Sequence, residues 1–292
     1  MKANGRRMVL VPLTRIENLG YWICFIGAFL AIAAWESVRE KRALLAPAER
    51  RWRNHGAMFV IGALFSAALL RFTPVALALL VSGNPYGVLN KAWLPFWLRC
   101  VIAVLALDLV QYGMHWTNHH VPWLWRVHQV HHSDLDYDVS TSTRFHPIEM
   151  LLGQGAQLAA IALLAPPALG VLIHEFLAVV VNLTQHANAS LPAPVERLFR
   201  LFAATPDVHR LHHSIVIAEQ QRNYGEIFLW WDRLFDTYMG KPAASVDRFR
   251  TGLTEFEKAD TLNIGFMLTV PFRGAPADVS ASEPKTAPDT AA

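Results

Sequence analysis

The chain is 292 residues long, 53% hydrophobic and only 17% charged, with a formal net charge of +3 and a pI near 9.0. That balance excludes an ordinary soluble domain, and the basic residues sit in short segments beside apolar runs rather than on an arm fit to hold nucleic acid. Two cysteines, Cys24 and Cys100, both inside apolar runs, exclude a disulfide framework and a thiolate metal site.

The first twenty residues are basic but lack a small-residue cleavage site, so no cleaved signal peptide is expected. Leu19 to Trp35 is long and apolar enough to cross a bilayer as helix. Gly56 to Val81 is longer and is interrupted by Arg71 and Pro74, where a kink is expected. Leu94 to Met114 forms a third crossing, with Asp108 near its end. Ile148 to Ala165 and Ala168 to Gln185, joined by Pro166 and Pro167, read as a helical hairpin. Its polar residues Glu149, Gln154, Gln157, His174 and Glu175 must face protein rather than lipid. The expected fold is all-α and polytopic, with four to five membrane-embedded helices. From about Gly274 the composition is that of a disordered tail.

Lysine and arginine counts set the orientation. Glu36 to His55 holds six, whereas Ser82 to Lys91 holds one, which places the former segment in the cytoplasm of an inner-membrane protein. Alternating the crossings brings His115, His119, His128, His131, His132, His146, His186, His209, His212 and His213 out on that same face, as a cytoplasmic cap. Twelve of the thirteen histidines lie between 115 and 213.

Their spacing is that of metal ligands. His115 and His119 share one helix face, being four apart. In HxxHH, at 128–132 and again at 209–213, the adjacent pair diverges by roughly 100° and serves two neighbouring metals more easily than one. An all-imidazole set suits iron, zinc or copper, and eight or more ligands imply two ions. There is no HExxH and no cysteine cluster. Asp108, seven residues before His115, is placed to hold a ligand histidine through its second ring nitrogen. Trp116, Trp123, Trp125, Trp230 and Trp231 read as an interfacial belt, His174 with Glu175 as an interhelical contact, and His55 as surface.

HxxxH, the two HxxHH motifs, "RFHPIE" from Arg144 to Glu149, "QHAN" from Gln185 to Asn188, "TPDVHRLHHS" and "NYGEIFLWWDRLFDTY" together resemble the fatty acid hydroxylase and sterol desaturase superfamily of membrane di-iron oxygenases, from about Arg51 to Gly240. The resemblance implies iron ligands at His115, His119, His128, His131, His132, His209, His212 and His213, with His186 and His146 added. It implies two irons, O2 as co-substrate, a lipid substrate that is hydroxylated or desaturated, and an external electron donor such as a ferredoxin or a cytochrome-like protein with its reductase. No organic cofactor site is read. Two positions depart from the family pattern: Trp116 stands where arginine is common, and Asp236 where glycine is common. Residues 1–50 are then an N-terminal helix and basic loop, 51–240 the catalytic domain and 241–292 an extension. The rival readings are a zinc-dependent membrane hydrolase and a metal transporter, the latter expected to place its histidines through the bilayer midplane. Arg126, Arg197, Arg200, Arg210 and Arg222 are the basic residues expected to attract an acidic donor.

Overall fold

The computed structural model describes residues 13–91, 93–242 and 249–273; the tail expected to be disordered lies outside them. Among the described residues the protein is helical, with no β-strand beyond two isolated bridges, Ala203 with Phe228 and Ser214 with Thr251. Five helical stretches are long and apolar enough to cross a membrane: 13–39, 48–81, 96–120, 147–164 and 168–185. We label the helices α1 (Tyr21–Arg39), α2 (Ala48–Leu69), α3 (Pro74–Val81), α4 (Phe96–His120), α5 (Pro122–His132), α6 (Pro147–Leu164), α7 (Ala168–Gln185), α8 (Ala193–Phe199), α9 (Pro206–His212), α10 (Trp230–Leu234) and α11 (Ile264–Thr269).

Local chemistry sets the breaks. The second crossing stops at Leu69 and restarts at Pro74, with Thr73 capping α3 by accepting from Ala76 N, so the expected kink is an interruption of four residues around an exposed Arg71. The hairpin turns at Ala165, in the left-handed region at φ 47°, followed by the two prolines that bar helix continuation. Val121, extended before Pro122, separates α4 from α5 and lets the chain change direction between the HxxxH and first HxxHH motifs.

α3, α4, α6 and α7 pack around Val75, Ala78, Leu107, Ile161, Val171 and Leu172. α4 and α7 approach so closely at Gly170 that an added Cβ would stand 2.9 Å from Ala103 Cβ and 3.0 Å from Cys100 O, which is the small-residue packing of membrane helices. Outward faces keep large apolar side chains such as Leu30, Leu64 and Leu163, which suits lipid. The chain is an integral membrane protein by these helices.

One end of the bundle carries the polar core. Arg51 on α2 reaches both carboxylate oxygens of Asp134 (2.7 and 2.8 Å) and Asp138 Oδ1 (2.9 Å). Arg144, fully buried, donates to Val130 O, Ser133 Oγ and Thr261 O and stands 3.0 Å from His55 Nε2. His55, expected at the surface, is therefore buried, held by Ser140 Oγ at 2.9 Å. Sequence reading missed it because its partners lie some 85 residues away. The 249–273 segment docks on the same end through Thr261, through Thr251 to Leu135 O, and through Leu262 O to Asn54.

Candidate metal centre

α4 delivers His115 and His119, α5 delivers His128, His131 and His132, the end of α7 delivers His186, and α9 with its C-cap delivers His209, His212 and His213. All nine are buried and fall into two groups whose ligand atoms lie within 4.8 Å of one another. One is His115, His119, His128, His132 and His212; the other is His131, His186, His209 and His213.

The partition follows helical geometry. Histidines four apart share a group: 115 with 119, 128 with 132, 209 with 213. The middle histidine of each HxxHH, His131 or His212, crosses to the other group, because adjacent side chains diverge by about 100°. Each motif thus stitches the two groups together.

Each group has a central imidazole. His128 Nδ1 is 2.5 Å from Glu149 Oε1, and its Nε2 meets His119 Nε2 at 3.0 Å and His132 Nε2 at 3.2 Å. His186 Nδ1 is 2.7 Å from Asn182 O, and its Nε2 meets His131 Nε2 at 3.3 Å and His209 Nε2 at 3.1 Å. A ring that donates from Nδ1 presents only one lone pair at Nε2, which cannot serve two neighbouring rings well. Ligand nitrogens about 2.1 Å from a common metal stand roughly 3.0–3.4 Å apart, and the four Nε2 separations fall in that range. Seven of the nine histidines, all but His128 and His186, also keep a buried ring nitrogen with no hydrogen-bond partner. The residues fit metal ions at both groups.

Outer nitrogens are fixed by the chain itself. Tyr224 O holds His115 Nδ1 at 2.9 Å and Arg222 O holds His212 Nδ1 at 2.8 Å, turning both Nε2 atoms inward. Burial, then the neighbouring imidazoles, push His131, His132, His209 and His213 well below the usual imidazole range. Burial also takes His186 down to about 4 and His212 to about 3. The rings are neutral at neutral pH, the form that ligates.

His146 stands outside both groups. Its Nδ1 accepts from Ile148 N and caps α6, and its Nε2 faces Leu268 O at 3.4 Å. Asp108 bonds no histidine either: it accepts from Ile227 N, Phe228 N and Trp231 Nε1. It thereby anchors the loop that follows Tyr224, whose carbonyl holds His115. The carboxylate on a histidine is instead Glu149, and Glu226 Oε1 lies 3.5 Å from His115 Nδ1. Glu149 carries the same sequence signal as Asp108, an acid inside an apolar run.

Asn223 and Asp232 hold the "NYG" turn. Asn223 is left-handed at φ 59°, and Asp232 accepts from Tyr224 N and Gly225 N. Asp236, where the family commonly has glycine, is left-handed too, at φ 56°, the conformation that favours glycine. The tryptophans divide. Trp116, Trp123 and Trp230 are exposed, Trp125 is buried with its ring 5.1 Å from that of His119, and Trp231 is bonded to Asp108.

A cavity of about 590 Å³ runs from this centre into the bundle. His115 and His128 of one group and His131, His186 and His209 of the other line it, with Glu149 and Glu226 beside them. All five polar hairpin residues named from the sequence line it as well.

An all-helical membrane bundle closed at one end by two buried polyhistidine groups over a shared cavity defines a membrane metalloprotein class. Residues 100–237 match the fatty acid hydroxylase family. That match, over just under half of the chain, agrees with the resemblance to the fatty acid hydroxylase and sterol desaturase superfamily. The chain is 28% identical over 215 residues to an ornithine lipid hydroxylase of Rhizobium tropici, covering 69% of this chain and 63% of that protein. It is 25% identical over 236 residues to an alkylglycerol monooxygenase of Caenorhabditis elegans (78% and 43%), and 31% identical over 166 residues to that of Danio rerio (56% and 34%). The chain thus spans less than two thirds of the length of these relatives. No solved structure matches it.

Proposed function

We propose that the protein is a membrane di-iron oxygenase that hydroxylates or desaturates a lipid. The observation that carries this reading is that both histidine groups open onto one cavity inside the bundle, which suits two metals acting on one substrate. The hydroxylase and monooxygenase relatives support the same class of reaction. Iron bound by the nine histidines would supply reductive activation of dioxygen, which an aliphatic C–H bond requires. For hydroxylation the balance is one C–H bond, O2, two electrons and two protons giving an alcohol and one water. The chain's own part is to hold the ligands neutral and oriented, to present the lipid and to exclude bulk water from the cavity.

The orientation read from lysine and arginine places this end of the bundle at the cytoplasm, where an electron donor docks; catalysis is assigned to residues 51–240. Arg210 is removed from the docking surface, since it is buried and bonded to Ala187 O and Asp207. Of the five arginines named for that role, Arg197 is the exposed one. A transporter is disfavoured because the ligands form two closed groups at one end of the bundle.

The test uses the full chain in lipid nanodiscs with iron, an electron donor with its reductase, and 18O2. Appearance of one 18O atom per hydroxylated lipid is expected. Incorporation from H2 18O instead, without any need for O2 or reductant, would replace this reading with the zinc hydrolase.

A further inference from the structure

The cavity continues well past the metal centre. At its remote end His174 and Glu175, neighbours on α7, line it together with Gln157 and Glu17. Glu17 is spoken for, accepting from Thr73 Oγ1 and Val75 N where it anchors the start of α3. His174 and Glu175 are not. His174 is only 1% exposed, its Nδ1 faces Gln157 Nε2 at 3.5 Å, and its Nε2 has no partner. Glu175 Oε2 is likewise buried without a partner. Unsatisfied polar atoms at bilayer depth are costly, and two on the lining of one cavity point to a group that fills it.

We propose that this remote end binds the protonated amine of an amphiphilic substrate, with the alkyl chain running toward the histidines. An ammonium carries three donors and no acceptor. Glu175 Oε2 is the matching acceptor; His174, whose Nδ1 accepts from Gln157 Nε2, turns an Nε2–H to the same cavity. Charge agrees: four carboxylates line the cavity, Glu17, Glu149, Glu175 and Glu226, against one cation, Arg71, which is exposed. Trp22 and Phe72, also exposed, line the cavity beside Arg71 and mark where it meets lipid.

The geometry sets a ruler. His174 and His186 are twelve residues apart on and at the end of α7, about 18 Å at 1.5 Å per residue. At about 1.2 Å per bond of extended chain, the carbon presented to the metal centre lies roughly a dozen to fifteen bonds from the nitrogen. This inference rests on the oxygenase reading only for that position of oxidation.

The test measures binding of 1-hexadecylamine, 1-hexadecanol and hexadecane to the iron-loaded full chain in nanodiscs, by native mass spectrometry and thermal shift. The amine is expected to bind at least about tenfold tighter than the alcohol. Glu175→Gln, nearly isosteric, should abolish that margin while metal content stays at the wild-type level. Equal affinity for amine and alcohol, or a margin that survives Glu175→Gln, overturns the proposal. An amine margin that Glu175→Gln abolishes, with no probe oxidised once O2 and an electron donor with its reductase are added, would support this site and overturn the oxygenase reading. Oxidation without an amine margin would do the reverse.

Discussion

His128 donates from Nδ1 to Glu149 Oε1 at 2.5 Å, joining the middle of one histidine group to the first turn of the hairpin helix. The bond fixes the ring so that its Nε2 faces His119 and His132. Glu149 also accepts weakly from Asn118 Nδ2 at 3.4 Å, so α4, α5 and α6 meet at one carboxylate. Losses of this kind cost roughly 10- to 100-fold in metal affinity or activity. Glu149→Leu should therefore insert normally but release iron at a chelator concentration lower by about that factor. Iron retention equal to wild type, measured by metal analysis after dialysis, would show that the carboxylate serves the fold alone.

The partition of the histidines makes a stoichiometric prediction. His186→Ala with His209→Ala removes two ligands from the four-membered group and none from the other. Metal content should fall from about two ions per chain to about one, as two of four ligands are too few to hold a metal. His131→Ala with His212→Ala takes one ligand from each group and should lower both affinities. Equal metal loss from the two double variants, titrated side by side, would contradict the separation into two sites.

Asp108 acts at one remove. Its three hydrogen bonds tie α4 to Ile227, Phe228 and Trp231, and Tyr224 O, just before them in the chain, orients His115. Asp108→Asn retains one acceptor oxygen, and hydrogen bonds to a charged group contribute about 1.5–3 kcal/mol each. The variant should lose thermal stability by an amount in that range while its metal affinity falls less than that of Glu149→Leu. The reverse order of metal loss would place Asp108 closer to the ligands than its bonds do.

Arg51→Met should be the most damaging change outside the histidines. It leaves Asp134 and Asp138 buried without their cation, and breaking such a pair costs roughly 3–5 kcal/mol. The loop they hold connects α5 to α6, so loss of metal should accompany the drop in melting temperature. A stable Arg51→Met with wild-type iron would mean that the hydrogen bonds of Arg144 alone hold the loop.

What the sequence made legible was what repeats at short range. Apolar length gave the five crossings, Pro74 and the Pro166–Pro167 pair gave their breaks, and the divergence of adjacent histidines gave two ligand groups. Partners distant in the chain were hidden: Glu149 for His128, Ser140 and Arg144 for His55, and Ile227, Phe228 and Trp231 for Asp108. His146 shows the limit of motif carry-over, since a histidine before proline at a helix start is also an N-cap, and here it caps α6. The cavity joining Glu149 to His174 and Glu175 required knowing which faces of α6 and α7 look inward.

Orientation in the membrane is the remaining structural prediction, and the burial of side chains decides how to measure it. Arg51, Asp134 and Asn223 lie at the histidine end but are all buried, so a cysteine probe there would report folding rather than sidedness. Glu40, Arg197 and Glu255 are exposed, the first just beyond α1 and the others on segments that pack about the same end. Gly83 and Tyr86, exposed in the connection after α3, mark the opposite end. In a background with Cys24 and Cys100 replaced by alanine, single cysteines at Glu40, Arg197 and Glu255 should react with a membrane-impermeant maleimide only from the cytoplasmic side, and those at Gly83 and Tyr86 only from the other. The six lysines and arginines between Glu36 and His55 against the one between Ser82 and Lys91 set that sign. Labelling with both sets reversed would put the metal centre away from cytoplasmic reductants; labelling of Arg197 from the side opposite Glu40 would separate α9 from α4 and break the nine-histidine centre itself.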